Sequence, residues 1–99
     1  MIRQGVHDGL VIELRDKLFY SCDYEKMWLF WEYCRGDYVG EVDLLAFAGN
    51  IYDFFETKSN FHNKANRKAH QQYERFQLAF PKWTTNGFLY ASDRRIRPL

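Results

Sequence analysis

The chain has 99 residues, a hydrophobic fraction of 46%, an aromatic fraction of 19% and a net charge of +1. This composition excludes an intrinsically disordered protein, and the lack of an apolar run of about 18 residues excludes a membrane-spanning helix. The length predicts one domain over residues 1–99, and the start MIRQGVHDG lacks the apolar region of a secretory signal, so we expect a cytoplasmic protein. Cys22 and Cys34 lack the spacing of a zinc site, suit a reducing compartment and are interpreted as packing residues.

Charge is divided unevenly along the chain. Residues 1–57 carry a net charge of −6, whereas residues 58–99 carry +7. A basic half in a nearly neutral protein indicates a polyanionic partner that is contacted from one side. The alternative is that the two halves complement each other within the fold or between subunits.

The first two predicted elements are a helix over residues 5–20 and a strand over residues 26–34. Leucines recur every four residues in the helix, at Leu10, Leu14 and Leu18, and Val11 lies beside them. A β-hairpin is the alternative there, because branched and aromatic side chains are frequent. Five consecutive apolar residues in the strand predict burial on both faces, and we assign Trp28 and Trp31 to the core rather than to base stacking.

A β-hairpin over residues 40–58 is the centre of the chain. Two apolar runs flank Gly49-Asn50, which is typical of a two-residue hairpin turn. With that turn, Asp43 lies opposite Glu56, and Lys58 shares their face because side chains alternate along a strand. Opposed carboxylates repel each other unless a cation lies between them, and a divalent ion such as Mg²⁺ prefers carboxylate oxygens.

A second helix is predicted over residues 61–80, with Ser59-Asn60 as its N-terminal cap. Its apolar side chains recur at helical spacing and define a buried side, at Ala65, Ala69, Tyr73, Phe76 and Phe80. Its basic and amide side chains lie nearly opposite, at Lys64, Arg67, Lys68, Gln71 and Arg75. Because the helix leaves directly from Lys58, we expect this side to contact DNA phosphates, and a solvated charged face is the alternative.

The end of the chain is predicted to hold one more strand and a basic tail. Asn86-Gly87 marks a turn, and residues 87–91 read as the last strand. The tail over residues 94–97 is basic and is expected to be mobile. It serves either as a DNA-binding arm or as a solubilising end.

The residues of the central hairpin resemble a known enzyme family. Gly40-Glu41-Val42-Asp43 on one strand and Glu56-Thr57-Lys58 on the next resemble the signature of the PD-(D/E)XK nuclease superfamily. The spacing looks most like archaeal or phage-type Holliday junction resolvases, and the Gly-x-x-Asp is also similar to exonucleases of the RecB kind. One departure is that Val42, and not proline, precedes Asp43.

The resemblance implies a fold and an origin. It implies an α/β protein with a small mixed β-sheet flanked by helices, in the order α-β-β-β-α-β, with a restriction-endonuclease-like core. Relatives of this kind imply a prokaryotic or virus-encoded protein. Small size and high aromatic content add the expectation of a homodimer.

The resemblance also implies an activity and a site. A DNA nuclease dependent on Mg²⁺ or Mn²⁺ would use Asp43 and Glu56 as metal ligands, with the Thr57 carbonyl as a further one. Lys58 would orient the attacking water or stabilise developing charge. The first helix would supply another ligand, with His7, Glu13 and Asp8 as the candidates. Lys64 or Gln71 on the second helix would support the site.

Two other classes of function remain open at this stage. The chain could be a nucleic-acid-binding protein without catalytic activity, which uses the basic helix and tail. It could also be a small inhibitor or adaptor that binds another protein through aromatic and acidic surface. Cleavage in the presence of metal distinguishes the nuclease from both.

Overall fold

The computed structural model describes residues 5–99, in which two helices flank a five-stranded mixed sheet. In chain order the elements are α1 (Val6–Ser21), β1 (Lys26–Arg35), β2 (Tyr38–Ala48), β3 (Ile51–Lys58), α2 (Asn63–Ala79), β4 (Thr84–Ala91) and β5 (Ile96–Pro98). The strands lie in sequence order, and each neighbouring pair is antiparallel except β3 and β4. A parallel pair needs a crossover connection, which α2 provides. The predicted α/β class and element order are confirmed, and β5 is an addition.

Helix α1 packs on one face of the sheet. Its four predicted core residues are all buried, which confirms the helix and excludes the hairpin alternative. They join strand residues in what we call the first core cluster, composed of Leu10, Val11, Leu14, Leu18, Leu44, Ala46, Phe55 and Tyr90. The regular spacing of leucines was sufficient to predict this face.

Helix α2 packs on the other face. The predicted apolar side is confirmed, with the first four of its residues buried and Phe80 half-buried. The second core cluster consists of Tyr33, Val42, Leu45, Phe54, Tyr73 and Phe76. Trp28 and Trp31 pack against this cluster, as expected for core residues. Burial of so many aromatic rings explains how a short chain forms a core on each face of one sheet.

The turn of the central hairpin forms as predicted. Gly49 and Asn50 have φ angles of 57° and 65°. Positive φ at both turn residues is the requirement of a type I′ turn, and glycine and asparagine tolerate it best. The register is also the predicted one, because Phe47 pairs with Tyr52.

Strand β1 is half-buried, so the prediction of burial on both faces is wrong. The strand pairs only with β2 and forms an edge of the sheet, where one side of the strand has no neighbouring strand. The two cysteines are also exposed and unpaired, contrary to the packing role predicted for them. Cys22 caps the C-terminus of α1, and Cys34 lies near the end of β1.

Two further details at the ends of elements differ from the sequence-based expectation. Helix α2 is capped by His62 and not by Ser59-Asn60, because the His62 Nδ1 accepts a hydrogen bond of 3.1 Å from the Ala65 N–H. The basic tail is not mobile, since it folds back as β5, with Arg97 opposite Leu89. Neither helix within residues 5–99 is long and apolar enough to cross a membrane.

Candidate metal centre

Three side chains from three elements converge at one place. His7 lies in the first turn of α1, Asp43 in β2 and Glu56 in β3, and one ligand atom of each lies within 4.8 Å of the others. Asp43 and Glu56 are buried, whereas His7 is half-buried. A nitrogen and two carboxylate oxygens at such distances form a set that could hold a divalent cation.

Asp43 reaches this place through a break in strand β2. Val42 and Leu45 both pack in the second core cluster, while Leu44 packs in the first. Regular alternation would place Val42 and Leu44 on the same face, so the strand reverses its faces at Asp43. Asp43 and Glu56 do converge as expected. The regular alternation from which we predicted this does not hold at Asp43.

The Asp43 carboxylate lies beside β3 and takes the place of a main-chain partner. Backbone pairing of β2 with β3 extends to Leu44 and Phe55. Beyond it, Asp43 Oδ2 accepts hydrogen bonds of 2.8 Å from the Thr57 N–H and 3.0 Å from the Thr57 hydroxyl. A side chain between two strands in this way is held by both of them, and Thr57 itself is fully buried.

His7 completes the cluster from α1. Its Nε2 lies 3.1 Å from Asp43 Oδ2 and 3.1 Å from the Thr57 carbonyl oxygen, and its Nδ1 lies 3.2 Å from Asp8 Oδ1. The hydrogen bond to Asp43 is the main cause that raises the pKa of His7 to about 9, against the opposing effect of burial. Without a cation, His7 is therefore the positive partner of Asp43 at neutral pH.

The two carboxyl groups titrate in opposite directions. Burial opposes ionisation of Asp43, but His7, the neighbouring Glu56 and the Thr57 N–H outweigh it and lower the pKa of Asp43 to about 2. Burial and the nearby Asp43 carboxylate raise the pKa of Glu56 to about 10. Without metal, Asp43 is therefore ionised and Glu56 protonated at neutral pH.

One carboxylate oxygen of Glu56 has no hydrogen-bond partner within residues 5–99. This atom, Oε2, is buried. A buried polar atom without a partner costs stability, and a cation between the carboxylates would satisfy it. Binding of that cation would displace protons from Glu56 and His7, so its affinity should rise with pH.

Lys58 lies two residues after Glu56 and faces α2. Its Nζ donates a hydrogen bond of 3.2 Å to the Gln72 Oε1. Lys58 also lines a pocket of about 400 Å³, whose other lining residues are His62, Lys64, Ala65 and Lys68. Three lysines therefore surround one concavity close to Glu56, and their positive charge would favour binding of an anion there.

The structure brings together some of the predicted site residues and separates others. Glu13 lies away from the cluster and accepts a hydrogen bond of 2.9 Å from the Arg94 Nε, so His7 is the α1 residue at this place. Arg75 lies over the ring of Tyr38, at 5.3 Å from its centroid. Arg67 and Gln71 are exposed and do not line the pocket.

Sequence reasoning missed two residues of this region. Gln72, and not Gln71, contacts Lys58. The sequence feature that could have indicated Gln72 is its position four residues after Lys68, which places both residues on the same side of α2. The Thr57 side chain contacts both His7 and Asp43, although only its carbonyl was considered from the sequence. No local pattern indicates that a threonine between two site residues takes this role.

Neither the scan against protein-family models nor the search of curated proteins gave a match for this chain. The similarity to PD-(D/E)XK nucleases therefore stays an interpretation of the hairpin residues. The features of this protein that bear on function are the geometry, burial and charge of the His7–Asp43–Glu56 cluster and of the adjoining basic pocket.

Proposed function

We propose that this protein is a metal-dependent nuclease of the PD-(D/E)XK type that hydrolyses phosphodiester bonds in DNA. The observation that carries the proposal is the cluster of half-buried His7 with buried Asp43 and Glu56, in which Glu56 Oε2 has no hydrogen-bond partner among residues 5–99. Buried polar groups are usually hydrogen-bonded, so this atom favours a bound cation over a purely structural ion pair. The basic pocket beside the cluster supplies the second requirement, a surface for phosphates.

The donor atoms fit a hard divalent cation. Asp43 and Glu56 would be its carboxylate ligands, with His7 as the nitrogen ligand and the Thr57 carbonyl as a further oxygen. Oxygen-rich donor sets suit Mg²⁺, and a set that includes imidazole also suits Mn²⁺. When bound, such an ion lowers the pKa of a water and neutralises charge on the phosphate.

The remaining residues bind the substrate and stabilise charge. Lys58 is held by Gln72 at the boundary between the carboxylates and the pocket. From there its ammonium group would orient the attacking water or stabilise negative charge that develops on the phosphate. Lys64 and Lys68 line the same pocket and would bind neighbouring phosphates, which positions the scissile bond at the cluster.

A cleavage assay tests the proposal. Linear duplex, single-stranded and four-way-junction DNA are incubated with the purified protein, with Mg²⁺, with Mn²⁺ and with EDTA. We expect cleavage that requires metal and that disappears in Asp43→Asn, while Glu74→Gln on the exposed side of α2 remains active. Preference for the junction would identify a structure-selective endonuclease of the Holliday junction resolvase type.

The absence of cleavage under all of these conditions would contradict the nuclease. In that case, binding of DNA by the basic pocket would favour the second candidate, a nucleic-acid-binding protein without catalytic activity. We further propose a homodimer in the cytoplasm. Light scattering of the purified protein measures its mass directly and tests the dimer.

A further inference from the structure

Phe30 has an unusual backbone in the middle of β1. Its φ angle is 52°, which lies in the left-handed region that residues with large side chains rarely adopt. Leu29 pairs with Leu44 and Trp31 with Val42, so Phe30 lies directly opposite Asp43 on the neighbouring strand. Backbone outliers of this kind occur preferentially at functional sites, and Phe30 lies beside the candidate metal centre.

The left-handed residue coincides with a reversal of faces in β1. Leu29 and Phe30 both pack against the first core cluster, although they are consecutive, and Trp31 packs against the second. Strand β2 makes its own reversal at Asp43, directly across from Phe30. Residues that pair across two strands point to the same face of the sheet. If the register is kept, a reversal in one strand therefore requires a reversal in the other strand at the paired residue.

We propose that Phe30 is a positioning residue whose left-handed backbone holds β2 in the reversal that directs Asp43 toward His7 and Thr57. With an extended backbone at Phe30, both strands would alternate regularly. Asp43 would then share a face with Leu45, on the α2 side of the sheet and away from His7. The packing of the Phe30 ring against the first core cluster offsets part of the backbone strain. The link to metal binding rests on the proposed function, whereas the placement of the Asp43 carboxylate does not.

A matched pair of substitutions separates the backbone from the ring. Phe30→Asn and Phe30→Thr both replace the ring with a small polar side chain. Asparagine tolerates the left-handed conformation, whereas threonine is branched at Cβ and resists it. The two variants therefore lose the same packing and differ chiefly in the backbone that they allow at this position.

The first readout is hydrogen exchange of the Thr57 amide in the full-length, metal-free protein. That N–H donates to Asp43 Oδ2, so its protection, measured relative to that of the other β3 amides, reports whether this hydrogen bond is kept. We expect Phe30→Asn to keep the protection of the parent and Phe30→Thr to exchange about tenfold faster, which corresponds to the loss of one hydrogen bond. The second readout is Mn²⁺ affinity by calorimetry, which should fall about tenfold in Phe30→Thr alone.

Equal exchange of the Thr57 amide in the two variants would overturn the proposal, and so would faster exchange in Phe30→Asn than in Phe30→Thr. Should Phe30→Thr fail to fold, Phe30→Gly and Phe30→Ala form a milder pair, in which glycine should protect the amide better than alanine. The exchange difference without DNA cleavage in the parent protein would support the positioning role and contradict the nuclease. Cleavage by the parent protein together with equal exchange in the two variants would support the nuclease and contradict the positioning role of Phe30.

Discussion

Replacing Glu56 with glutamine should stabilise the protein in the absence of metal. Glu56 has 2% of its surface exposed, and its pKa is raised from an ordinary value of 4.5 to about 10. Below pH 4.5, Glu56 is protonated in both the unfolded and the folded protein, so its raised pKa does not lower the free energy of unfolding. The destabilisation grows as the pH rises from 4.5 toward 10, because folding then requires the uptake of a proton.

The size of the effect follows from that window. From 4.5 to pH 7 the interval is about two and a half units, and each unit corresponds to about 1.4 kcal/mol. Glutamine carries no proton to take up, so Glu56→Gln should raise the free energy of unfolding by at most about 3 kcal/mol at pH 7. At about 4–8 °C per kcal/mol for a domain of this size, that is a rise in melting temperature of up to roughly 12–24 °C.

Thermal melting with EDTA, at about pH 4 and about pH 7, measures the prediction. The stabilisation should appear at the higher pH and vanish at the lower one. Glu74→Gln, which removes the same charge from the exposed side of α2, should change little at either pH. Added Mg²⁺ should then raise the melting temperature of the parent and have little effect on Glu56→Gln, which has lost a ligand. A Glu56→Gln variant that melts well below the parent at pH 7 without metal would refute this reasoning and make Glu56 a structural ion-pair residue.

Two further predictions concern the charged residues around the cluster. Combined Lys64→Ala and Lys68→Ala should weaken DNA binding and reduce the slope of log affinity against log salt by up to about 2, since each lysine accounts for about 0.9. Lys82 is exposed and lies outside the pocket, so Lys82→Ala should leave the slope unchanged. Equal slopes in all variants would mean that the basic side of α2 is a solvated charged face that does not contact DNA. Replacement of His7 by alanine should destabilise the metal-free protein more at about pH 6 than at about pH 10, because its pKa is raised to about 9 by Asp43 and the contribution is lost as the pH rises through that value. Urea unfolding at the two pH values measures this, and a cost independent of pH would contradict the ion pair.

The sequence by itself determined the helices, the central hairpin and most of the residues that meet in the candidate metal centre. Local patterns carry this information, because a helix face or a tight turn depends on residues a few positions apart. The leucines of α1, the apolar side of α2 and Gly49-Asn50 are examples, and each formed as predicted. The proximity of Asp43 and Glu56, with Lys58 two residues further along β3, could be predicted for the same reason, because it follows from the position of the turn.

Tertiary structure decided how the site is assembled. The position of β1 at the edge of the sheet, the choice of His7 over Glu13 and the folding of the tail as β5 depend on contacts between residues distant in sequence. The reversal of faces at Asp43 is the clearest case, since the paired strand accommodates it at Phe30, a residue type that avoids left-handed backbone. Alternation along a single strand predicts a regular sheet, and only the pairing of two distorted strands places the Asp43 carboxylate between β2 and β3.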